Sequence, residues 1–122
     1  MTQEEKDLVL KDLCARLPYG IKVNNEIQGD FKIYGICENF VFGRNEVCHI
    51  DFDIEKIKPY LFPLSSMTEE QIKEFNSITQ KCNTYIGKSI LLTDFCNKHH
   101  IDWRGFIEKG LALDATGLDI YE

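Results

Sequence analysis

No stretch of this chain stays apolar for more than a few residues; Ile90-Leu91-Leu92 is typical. A membrane-spanning helix needs roughly 20 such residues in a row, so none is expected. The N-terminus, MTQEEKD, lacks the basic-then-apolar order of a secretory signal, and a cytoplasmic location is the expectation. Positive charge is scarce: 14 basic side chains face 20 acidic ones, for a net charge of −6. Residues 1–66 hold 8 basic and 11 acidic side chains and residues 67–122 hold 6 and 9, so each half carries −3. With no basic run in the sequence, broad binding to nucleic acid is not expected. Five cysteines, an odd number at wide spacings, do not make a disulfide framework and fit reduced thiols. There is no Gly-x-Ser-x-Gly elbow, no phosphate-binding glycine loop and no Cys-x-x-Cys knuckle.

What is present is an ordinary globular composition, 43% apolar and 28% charged, which can build a real core. The length, 122 residues, suits a single domain spanning 1–122. Thr2-Gln3-Glu4-Glu5 has capping-box spacing, and Val9, Leu10, Leu13, Cys14 and Leu17 recur at helical spacing. A helix over 3–16 follows, with Asp12 and Arg16 on its polar side and a stop at Pro18 and Gly20. Short β-like runs then alternate with turn residues. Cys48, Ile50, Phe52 and Ile54 interleave with His49, Asp51, Asp53 and Glu55, the pattern of a half-exposed strand. Ile54–Ile57 suits one helical turn, and Tyr60-Leu61-Phe62 a last strand between Pro59 and Pro63. The fold class predicted is α+β: an N-terminal helix, a small five-stranded antiparallel SH3-like meander or barrel in 1–66, and two or three C-terminal helices with a tail in 67–122.

The joint between the halves is IKPYLFPLSSMTEEQI. Thr68-Glu69-Glu70-Gln71 is a second capping box, with Met67 before the cap and Ile72 at the fourth helical position, the arrangement of a hydrophobic staple. The strand should end near Leu64 and the helix run over 69–82. Gly87 should break the chain. Thr93 should cap a short helix over 94–99, and Asp102 another over 103–109 ended by a left-handed Gly110.

Three groups carry possible chemistry. Cys96 and His99 have a zinc-ligand spacing, with His100 and Cys82 as further donors. Without a paired knuckle, buried thiols and a helix-ending His99-His100 account for them better, so no metal and no cofactor is assigned. The row His49, Asp51, Asp53, Glu55 could hold a cation, but any solvated strand face shows the same order. Asp102-Trp103-Arg104-Gly105 pairs a Trp with an Arg, a frequent combination at binding hot spots. The candidate interaction residues are therefore His99, His100, Asp102, Trp103 and Arg104.

The stretches LCARLPYG (13–20), IKPYLFPLSSMTEEQ (57–71) and HHIDWRGFIEKGLALDA (99–115) together resemble a family of small uncharacterised proteins found in gut Bacteroides-type bacteria, their phages and mobile elements. The chain departs from that pattern at Phe62, where a basic residue is frequent, and at Trp103, where Tyr is usual. The resemblance implies a prophage or mobile-element setting and brings no activity or site residue with it. The expectation is a non-enzymatic module that binds a protein. The alternatives are a small metal-dependent enzyme built on His99 and His100, and nucleic-acid binding through the barrel.

Overall fold

A computed structural model describes residues 1–121. Thr2 begins helix α1 (Gln3–Arg16) through a complete capping box with Glu5. The residues of α1 that face inward are Val9, Asp12, Leu13 and Arg16, at positions i, i+3, i+4 and i+7. Cys14 is exposed and Leu10 only partly buried, so the helix is turned from the expected orientation. The reason is electrostatic: Asp12 and Arg16 neutralise each other inside the molecule, which makes their burial tolerable.

Five strands follow: β1 (Lys22–Asn25), β2 (Gly29–Cys37), β3 (Phe40–Arg44), β4 (His49–Asp53) and β5 (Lys58–Leu61), with a short 3-10 turn over Ile54–Lys56 before the last. β1 to β4 form an antiparallel meander, and β5 pairs back against β1. A sixth strand, β6 (Leu113–Asp114), comes from the tail and lies parallel to β5. The strand order is β4-β3-β2-β1-β5-β6. The sheet is therefore open, mixed and six-stranded, where five antiparallel strands closing into a barrel were expected. The tail takes the free edge of β5, so β5 and β4 never approach closure. Just beyond β5, Phe62 makes a separate parallel bridge with Ile101.

One face of the sheet meets α1 across the main core, which includes Val9, Leu13, Ile21, Val23, Phe31, Ile33, Val41 and Leu61. Each such fully buried aliphatic side chain is worth about 1.5–3 kcal/mol relative to exposure. Gly43 is needed here because a Cβ would stand 2.9 Å from Cβ of Phe31. An alanine would have to push β2 away.

Thr68 opens helix α2 (Glu69–Lys81) with the second capping box, as its spacing predicts. The strand before it ends at Leu61 rather than near Leu64, and Leu64–Ser66 forms a 3-10 turn. Met67 packs on a second, smaller core of Phe95, Cys96 and Ile101, joined by Phe75 and Ile78, while Ile72 remains 43% exposed. Helix α3 covers Tyr85–Lys98, longer than the expected 94–99, and contains Gly87. Thr84, not Thr93, is its cap: Thr84 Oγ1 accepts from the Gly87 amide, at a position where any Cβ would crowd that oxygen. The Thr93 hydroxyl donates within the helix, to the Ser89 carbonyl. The expected helix over 103–109 is absent. Gly105, at φ +78°, leaves the right-handed region, and the segment forms consecutive turns closed by Gly110, which is left-handed as expected. No helix among the described residues is long and apolar enough to cross a membrane.

Candidate functional site

The segment 99–104 begins where α3 ends. His99 caps the helix, and His100 adopts a left-handed φ of +58°, which redirects the chain. Residues 100–102 then run beside Phe62: the Phe62 amide donates to the His100 carbonyl and the Asp102 amide to the Phe62 carbonyl, both at 2.8 Å. The five candidate residues divide: Asp102, Trp103 and Arg104 line one groove, and His99 and His100 lie outside it.

His99 lies against Phe95, with ring centroids 4.7 Å apart. Its Nε2 is 3.6 Å from Glu74 Oε2, too long for a hydrogen bond. His100 is buried and stacks on Tyr121 at 3.7 Å and 11°. Its Nδ1 has no hydrogen-bond partner among the described residues. Burial, together with the neighbouring Arg16, His99 and Lys22 side chains, lowers its pKa to about 4, so the ring is neutral. Tyr121 is held in turn, donating to the Tyr60 carbonyl at 2.7 Å and accepting from the Lys22 amide at 3.0 Å. Burial raises the pKa of its phenol. Asp102 is also buried, and its two carboxylate oxygens accept from the Phe106 and Ile107 amides. It caps, as expected, but caps a turn.

Trp103 and Arg104 are the pair that faces outward. The Arg104 guanidinium sits 4.1 Å from the centre of the Trp103 ring, a cation–π stack. The ring is 36% exposed, and its Nε1 donates to the buried Asn97. Arg104 Nε reaches Asp12 Oδ1 at 3.2 Å, while Arg16 Nε holds Asp12 Oδ2 at 2.8 Å. Arg16 also donates to the Ile101 carbonyl at 2.7 Å. One buried carboxylate thus positions both arginines and ties α1 to the 101–104 segment. Beside the stack lies a groove of about 430 Å³ lined by Pro63, Leu64, Ser65, Asp102, Trp103, Arg104, Gly105, Ile107 and Glu108. Ser65 and Pro63 come from the joint between the sheet and α2, so two of the distinctive sequence stretches meet here.

The other candidates separate. Cys96 is buried, which raises its thiol pKa, and Cys82 is the C-cap residue of α2, at the opposite end of α3 from Cys96. Of the expected strand row, His49 packs edge-on to Tyr34, Asp53 caps the Glu55 amide, and Glu55 lies beyond β4 in the 3-10 turn and pairs with Lys6. Among the described residues no three His, Cys, Asp or Glu side chains come together in a way that could hold a metal ion. The residues that sequence reasoning missed are Asp12 and Arg16. Their i, i+4 spacing was visible, but it is also that of a solvent-exposed helix pair. Comparison with protein-family models, with curated proteins and with solved structures finds no match for this chain.

Proposed function

We propose that the chain is a non-enzymatic protein-interaction module, in the prophage or mobile-element setting that the resemblance implies, and that it receives an extended segment of its partner in the groove beside Trp103. The observation that carries this reading is the Trp103–Arg104 stack, fixed from below by Asp12 and Asn97 and open to solvent above. A rigid aromatic anchor on a groove rim loses little entropy on binding, and such residues dominate interface energetics. Pro63, Leu64 and Ile107 offer an apolar floor for a partner side chain, and Glu108 an acid at the edge for a basic one.

Trp103→Ala is the decisive variant, because Arg104 also neutralises Asp12 and its loss would disturb the interior. A partner captured from the native host by the wild-type chain, then purified, should bind the folded Trp103→Ala protein at least about 2 kcal/mol more weakly by calorimetry. Equal affinity in the folded variant removes the groove from the account.

A further inference from the structure

The pairing of the strands assembles something that the order of residues conceals. Lys22 is the register partner of Lys32, Lys32 of Arg44, and Arg44 of His49. Register partners in adjacent strands point to the same face. Three cations and an imidazole therefore stand in one row across β1, β2, β3 and β4, about 14 Å from end to end at ~4.8 Å per strand. Like charges placed directly opposite one another destabilise a sheet. Yet Lys22, Lys32 and Arg44 form no ion pair among the described residues, in a chain with 20 acidic side chains to 14 basic. The Lys22 ammonium donates to the Ile120 carbonyl, which orders it without neutralising it.

An aromatic ring is fixed beside the row. Tyr34 is 47% exposed, with the Arg44 guanidinium 5.8 Å from its centre, His49 edge-on at 5.7 Å and Phe42 at 6.4 Å. On the other side of the row lies a depression of about 380 Å³ lined by Lys22, Lys32 and Arg44 with Phe31 and Asn45. Two acids, Asp30 and Glu46, edge it. The Asp30 carboxylate is engaged by the Tyr60 hydroxyl and the Asn24 amide. Asp51 and Asp53, opposite Phe42 and Phe40, bound the aromatic side. The positive strip is narrow, too narrow for the broad basic face that a duplex requires.

We propose that this row is a nucleotide site: phosphate oxygens lie on Lys22, Lys32 and Arg44, and a base stacks on Tyr34. An acidic peptide would answer the cations but leave the fixed, exposed ring without a role, whereas a nucleotide uses both. The same chemistry is offered by a free nucleotide and by a single strand, and the row, which shares no residue with the Trp103 groove, is independent of the function proposed for that groove.

Fluorescence anisotropy with a labelled single-stranded DNA dodecamer at about 50 mM salt, with 5′-AMP as competitor, tests the site. Binding is expected, with log K falling against log salt at a slope of about −2 for three phosphate contacts. Lys32→Ala or Arg44→Ala should reduce that slope by about 0.7. Tyr34→Ala should weaken binding by roughly 5- to 100-fold with the slope unchanged. All three side chains are exposed at least in part, and circular dichroism checks that the variants fold. Displacement by 5′-AMP assigns the site to single nucleotides; binding of the dodecamer without such displacement assigns it to a strand. The proposal is overturned if neither probe binds, if folded variants bind as the wild type does, or if polyglutamate displaces the dodecamer and Tyr34→Ala has no effect, the behaviour of an acidic-peptide site.

Discussion

Asp12 is the acid on which two arginines depend. It is 1% exposed, Arg16 is fully buried, and Arg104 closes the triad from the surface. Replacing Asp12 with Ala would leave Arg16 as an uncompensated buried charge, a change that costs about 3–5 kcal/mol. Denaturant unfolding of Asp12→Ala should show a loss of that size, and Arg104→Ala a smaller one, since its side chain is 19% exposed and water can replace part of the interaction. His100 gives a second residue-scale expectation. Its folded pKa, about 4, lies below the ordinary 6.5. Between those values the unfolded chain binds a proton that the folded chain refuses, so stability falls as the pH drops from about 6.5 to about 4 and changes no further below that on this residue's account. The full effect is about 3 kcal/mol. His100→Asn tolerates the left-handed backbone and does not titrate, so a pH series of unfolding curves should be flatter across that window in the variant.

Among the elements, the two halves differ in how firmly they are held. The strands and α1 share a continuous core, whereas α2 has no buried residue and the first turns of α3 leave Tyr85 and Ile86 at 85% and 70% exposure. Hydrogen exchange should therefore show α2 amides exchanging through local opening, well before the central amides of β2, whose exchange should follow global unfolding. Equal protection of the two would mean that the helical hairpin unfolds together with the sheet. This difference parallels what was legible. The starts of α1 and α2 were readable because capping boxes are local hydrogen-bond patterns written in four consecutive residues. The start of α3 was not. Thr84 precedes a Gly at the capped position, and Gly87 reads as a breaker unless the close approach of Thr84 is known. The turns over 103–109 were misread as a helix because Asp102 caps in the same way in both; only the backbone at Gly105 distinguishes them.

For the molecule as a whole, amino-acid order determined the things that local physics can settle. These are the α+β class, the N-terminal helix, the β meander in the first half, the joint at Thr68 and, among the described residues, the want of any membrane-length apolar helix. Each rests on periodicity or on contacts between residues a few positions apart. Only the tertiary structure decided that the sheet stays open. That outcome depends on Leu113–Asp114 reaching β5 across some fifty residues, and nothing in a two-residue strand announces its partner. It alone placed Asp12 and Arg16 inside, because burial of a charged pair depends on what closes over it. It also left His99 and His100 outside the groove while joining Asp102, Trp103 and Arg104 to it beside Pro63 and Leu64. And it aligned Lys22, Lys32, Arg44 and His49, which in sequence are scattered cations of an acidic chain. Register sets that row, and register is fixed by which side of each strand the core must bury.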